Sequence, residues 1–98
     1  MALRITKNQE VFEIKGNIVA ENARSVQHHF EKLLFHSEKV VVCLDKVKKI
    51  DAFGVNVLTR LFKNAVKNNK IFFIIGKENK IVRQAFGNVN YILRSDFV

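Results

Sequence analysis

Few side chains in this 98-residue chain could do chemistry: the histidines His28, His29 and His36, the lone thiol of Cys43, and two carboxylates, Asp45 and Asp51, on either side of KVKKI. His28 and His36 could share a helix face two turns apart, yet no cysteine or carboxylate pair at metal-binding spacing accompanies them. They read as surface histidines. A reactive thiolate needs an electropositive, partly open setting, which the run VVVCL does not offer, so Cys43 reads as a small core residue. One cysteine also builds neither a disulfide framework nor a zinc cluster. The two aspartates, read as loop residues, could touch a cation, but hard cations take about six to eight oxygen ligands and this stretch supplies too few. Gly16, Gly54, Gly76 and Gly87 stand singly, so no glycine-rich phosphate cradle is present. No catalytic residue, metal site or cofactor is expected, and the chain reads as a non-enzyme.

What remains is the junction DAFG, residues 51–54, where an apolar strand meets a helix. Asp51 is suited to accept backbone N–H bonds as the helix N-cap, worth about 1 kcal/mol, and its charge complements the helix dipole. Ile50 and Val55 occupy the two positions of a hydrophobic staple. Gly54 leaves the first turn open to close approach. Phe53 projects from that same turn and either tucks against the neighbouring loop or stands exposed as an anchor for a partner, since aromatics carry much of the energy at interfaces.

The elements that position this junction follow from periodicity. Leu3 to Thr6 and Val11 to Lys15 alternate around KNQ as a strand pair, with Gly16 ending the second. Ala23, Val26, Phe30, Leu33 and Leu34 recur at helical spacing from about Glu21 to Ser37, opposite Arg24, His28, Glu31 and Lys32. KVVVCLD and KIFFIIG are short, continuous, β-rich runs, the pattern of central strands covered on both faces. Between them a helix from about Ala52 to Asn68 carries Leu58, Leu61, Phe62 and Ala65 against Asn56, Arg60, Lys63 and Lys67. Strand, helix, strand in this order predicts parallel strands with a right-handed crossover. Ile81, Val82, Ala85 and Phe86 line one side of a short helix that Gly87 or Asn88 can close, and YIL reads as a final edge strand. The expected architecture is α/β, a mixed sheet of four to five strands with helices packed on it in the order β-β-α-β-α-β-α-β.

There is no proline, linker or repeat, and the length suits one domain over residues 1–98. No apolar run approaches a bilayer-crossing length, and the N-terminus alternates rather than following the order of a secretory signal. These features predict a soluble, cytoplasmic protein without membrane insertion. The net charge is +8, and the excess lies wholly in the second half: residues 1–45 carry six Lys/Arg and six Asp/Glu, residues 46–98 eleven and three. A basic half invites nucleic acid or an acidic partner. The nine phenylalanines fall mostly on core positions, however, and the ribonucleoprotein consensus is absent, so no specific nucleic-acid binding is expected.

The segments GNIVAENARSV, VVVCLDKVKKIDAFGVNVL and IVRQAF occur in the order found in STAS domains, the module of sulfate transporters and anti-sigma factor antagonists, and the chain resembles that family over nearly its whole length. Gly16, Ile18, Asn22, Ala23, Asp45, Val47, Ile50, Asp51 and Gly54 match its pattern. Val19 stands where an acidic residue is usual, Ala52 and Phe53 where two serines are usual, and Asn56 where a second glycine is common. In the antagonists that this chain resembles, the second serine is phosphorylated by an anti-sigma factor with serine kinase activity, which abolishes binding. Phe53 has no hydroxyl, so no phosphorylation is expected at that position. The resemblance implies a non-catalytic protein that binds a protein partner, an anti-sigma factor or a serine-kinase-like regulator, through Val19, Glu21, Asn22, Asp51, Ala52, Phe53, Gly54 and Asn56. Two rival readings are an accessory STAS subunit of a phospholipid ABC transporter and a basic nucleic-acid-binding domain.

Overall fold

Alternation in the first residues builds a hairpin: β1 (Arg4–Asn8) pairs antiparallel with β2 (Val11–Ile18) across a tight turn in which Gln9 takes a φ of 60°. The structure is a computed structural model and describes residues 3–96, so the outermost residues of the expected 1–98 domain lie outside the described residues. β2 does not end at Gly16 as expected but runs on to Ile18. Gly16, with a φ of 102°, sits beside a register shift at which β3 carries one extra residue, and glycine adopts that backbone without steric cost.

The remaining elements are α1 (Ala20–His36), β3 (Lys39–Ile50), α2 (Ala52–Lys67), β4 (Ile71–Ile75), α3 (Lys80–Phe86), a 3₁₀ turn (Gly87–Ile92) and β5 (Leu93–Arg94). The five strands lie in the order β1-β2-β3-β4-β5, antiparallel at the hairpin and parallel thereafter. The mixed α/β sheet is therefore as expected. β3 is longer than the KVVVCLD run: KVKKI is strand rather than loop, because Val47 and Ile50 stay buried while Lys46, Lys48 and Lys49 face water. Alternation fails there because Leu44, Val47 and Ile50 are buried three apart, across the two register shifts against β2.

The covering of the sheet differs from expectation. Buried residues of all three helices, among them Val26, Phe30, Leu58, Leu61, Val82 and Phe86, form one cluster with Ile14, Val40, Val42, Leu44, Phe72, Ile74 and Leu93. Strands laid down in sequential order with right-handed crossovers place every helix on one side. Val41, Cys43, Phe73 and Ile75 alternate onto the other face, which none of the three helices covers. Cys43 is thus half-buried rather than a core residue, and the partial burial pushes its thiol up from the ordinary range.

The short C-terminal elements also depart from the pattern. In α3 only Val82 and Phe86 are buried, and Ile81 and Ala85 are exposed, since a seven-residue helix presents one narrow i, i+4 stripe. Asn79 fixes it: its Oδ1 accepts from the Ile81 and Val82 N–H groups, while its Nδ2 donates to the Leu44 and Val47 carbonyls at 3.0 Å. Of YIL, Tyr91 and Ile92 belong to the 3₁₀ turn and only Leu93 enters a strand. On the opposite side of the molecule, the Lys70 ammonium donates to the Leu34 and Phe35 carbonyls and so closes the C-terminal end of α1. No helix among the described residues is long and apolar enough to cross a membrane.

Within α2, the Thr59 hydroxyl is buried and has no hydrogen-bond partner. An unsatisfied buried polar group costs about 1–3 kcal/mol, and valine has nearly the same shape without it. Thr59→Val should therefore raise stability by about 1 kcal/mol in chemical denaturation, the low end of that range because Thr59 is only half-buried as a residue.

Candidate functional site

Because β2 and β3 are parallel neighbours ending at the paired residues Ile18 and Ile50, the helices that follow them start side by side. The Asp51 N–H donates to the Ile18 carbonyl at 3.2 Å and ties the two ends together. Asp51 then caps α2, its Oδ1 accepting from the Gly54 N–H at 3.1 Å. Its other oxygen, Oδ2, accepts from the Ala20 N–H at 3.0 Å, in the first turn of α1. One carboxylate closes two helices.

The reason lies in the sequence of α1. Its N-cap is Val19, which has no oxygen to offer, so the Ala20 donor takes its partner from 31 residues downstream. Only the reciprocal half of a capping box is made locally: Asn22 Oδ1 accepts from the Val19 N–H at 3.0 Å, and Asn22 Nδ2 donates to the Asn17 carbonyl at 2.9 Å. For Asp51, desolvation pushes the carboxyl up, but the backbone N–H groups of Gly54, Ala20 and Phe53 together outweigh it and hold it below the ordinary aspartate range.

Gly54 is buried. A Cβ built there would stand 2.6 Å from the Ile18 carbonyl oxygen and 2.9 Å from side-chain carbons of Ile18 and Ile50, so the close approach expected of this residue is made by the domain's own strand. Ile50 and Val55, the expected staple, are both in the core cluster. Held by these contacts, the first turn of α2 leaves Phe53 62% exposed, which decides between the two orientations that the sequence left open. Ala52, Asn56 and Glu21 are also exposed, and Val19, Asn22 and Asp51 are half-buried. Seven of the eight residues expected to meet a partner thus reach the surface around the joint helix start, and Gly54 does not. Beside them Asn17, Val19, Glu21, Lys49 and Asp51 border a polar depression of about 540 Å³.

The other chemical candidates are dispersed. Asp45 and Asp51 sit six residues apart along an extended strand, about 20 Å at 3.3 Å per residue, too far to share an ion. His28, His29 and His36 are exposed, and the His29 ring packs edge-on against Phe12 and Phe30. Among the described residues, no group of three His, Cys, Asp or Glu side chains could hold a metal ion.

The family model of the STAS domain matches residues 1–92. This chain belongs to the STAS domain family. The solved structures agree in fold: the anti-sigma factor antagonist SpoIIAA in its unphosphorylated form matches with a TM-score of 0.65 at 11% identity, over 88% of this chain and 82% of that one. An anti-sigma factor antagonist from Mycobacterium paratuberculosis matches with a TM-score of 0.69 at 14% identity, over 98% and 86%. No curated relative matches the sequence. At these identities the likeness is one of fold, and the residues at the helix start of this STAS domain must be argued on their own chemistry.

Two outcomes follow for that start. Asp51→Ala removes the N-cap of α2 and the borrowed cap of α1, and should cost about 2 kcal/mol, the upper end for a single cap. Val19→Ser in that background gives α1 its own cap and should recover part of the loss in a double-mutant cycle. Because the folded carboxyl titrates below its unfolded counterpart, its contribution is complete above about pH 4 and is lost as pH falls through the lower folded value. Acid titration should therefore destabilise the wild type more than Asp51→Ala. Gly54→Ala should cost about 1–3 kcal/mol, since the strand backbone has to move, and thermal melts check it.

Proposed function

We propose that this STAS domain is a non-catalytic, cytoplasmic binding module that engages a protein partner through the joint start of its first two helices. Val19, Glu21, Asn22, Asp51, Ala52, Phe53 and Asn56 supply the contact. The partner is an anti-sigma factor or a serine-kinase-like regulator, as the resemblance to anti-sigma factor antagonists implies and as the names of two fold neighbours support. The observation that carries this reading is the exposure of Phe53, a large aromatic on a turn fixed by the Asp51 cap, the Gly54 packing and the Ile50–Val55 staple. Aromatics held in place in this way bury much area at little entropic cost when a partner closes over them.

Phe53 offers no oxygen to a kinase, so binding is either constitutive or controlled at another step. The fold comparisons lend no support to the transporter-subunit reading or to the nucleic-acid reading.

Affinity capture from native lysate with wild type, Phe53→Ser and Phe53→Asp tests the reading. A regulator held by the wild type and reduced at least tenfold by Phe53→Asp is the expected result. Equal capture by all three proteins overturns it.

A further inference from the structure

α2 continues from Phe53 with a row of its own. Phe53, Asn56, Arg60, Lys63 and Lys67 are all exposed, and at 3.6 residues per turn they fall within about 80° of one another, along roughly 20 Å of helix. The helix contains no acidic residue. Among the described residues no ion pair involves Arg60, Lys63 or Lys67. Lys67 has a local role, because a cation in the last turn complements the helix dipole. Arg60 and Lys63 sit in mid-helix, where like charges at i, i+3 and i, i+4 repel and no acidic residue of the helix offsets them.

We propose that this row is a docking stripe for an acidic protein surface, with Phe53 seated in an apolar socket at one end and Arg60, Lys63 and Lys67 facing carboxylates spaced along the partner. The proposal deepens the reading above and rests on it, since it names the chemistry of the same partner. Charge complementarity selects the occupant. A second copy of this chain is disfavoured by a net charge of +8 on each. Duplex nucleic acid would engage the three cations through phosphates but offers no apolar socket to the aromatic residue at the end of the row. Here the three cations form one line on one helix and end in an aromatic residue. A membrane surface is disfavoured because the apolar face of α2 is committed to the core.

The test titrates the full ¹⁵N-labelled chain with three probes: a stapled helical peptide bearing glutamates at heptad spacing and a terminal leucine, a 20-bp DNA duplex, and vesicles containing phosphatidylserine. The peptide should shift the amides of Asn56, Arg60, Lys63 and Lys67, bind more weakly as salt rises, and lose at least tenfold in affinity with Arg60→Glu/Lys63→Glu. Both substituted side chains are exposed, and circular dichroism checks that the double variant folds. Tighter binding of the duplex or vesicles than of the peptide overturns the proposal, as does peptide binding that survives the charge reversal. The capture assay separates the two readings. A regulator lost with Phe53→Asp but kept by Arg60→Glu/Lys63→Glu refutes the stripe alone. A regulator kept by Phe53→Asp refutes the contact face and, with it, the Phe53 socket on which the stripe rests.

Discussion

Two helix N-termini set side by side repel, because each carries a partial positive charge and donors without partners. Sequential parallel strands force that arrangement on this domain, since β2 and β3 end together and each runs straight into a helix. The Asp51 carboxylate lies between the two starts, supplies a negative charge to both and accepts one N–H from each. Everything nearby is arranged around it. The Ile18 carbonyl receives the Asp51 N–H, Gly54 lets the first turn of α2 come down onto Ile18, and Val19 can do without an oxygen of its own.

The same constraint explains why the exposed turn is suited to recognition. A side chain on a mobile loop has to be ordered when it binds, at a free-energy cost set by the freedom it loses. The turn carrying Phe53 is already ordered by backbone packing against β2, by its cap and by the staple beneath it. The family fold persists in neighbours of 11% and 14% identity because it depends on where apolar residues recur, and such a frame leaves the exposed positions of the first turn free to differ.

What could be read in the sequence was local. The Asp51 cap, the Ile50–Val55 pair and the stripes of α1 and α2 depend on residues three to five positions apart, and each stands where the spacing put it. What could not be read involves distant partners. The second bond of Asp51 joins residues 31 apart, although the missing cap at Val19 was a sign that a donor there needed help from elsewhere. Continuous apolar runs read as strands covered twice, yet Val41 and Ile75 are buried on a face that no helix covers, because the flanking strands already shield much of a central β residue. Gly16 looked like a stop and instead lies opposite a bulge in β3, a distinction that depends on the register between the two strands. The second half of β3 was missed because its buried residues Leu44, Val47 and Ile50 recur every third position across two bulges, which no period-two pattern shows.

α1 is closed at both ends by groups made later in the chain: Asp51 at its start, 31 residues beyond Ala20, and Lys70 at its finish, 35 and 36 residues beyond Phe35 and Leu34. An uncapped helix of 17 residues is marginal in water. At about 5–20 residues per second, a ribosome takes roughly two to seven seconds to make the span between Leu34 and Lys70. For about the first half of that interval the nascent segment carrying Val26, Phe30 and Leu34 lacks both terminal partners and β3, and until Lys70 is made its C-terminal end stays open. The first amphipathic helix in the sequence is thus closed only after most of the sheet has been made, and its apolar stripe is exposed on the nascent chain before the strands that will cover it.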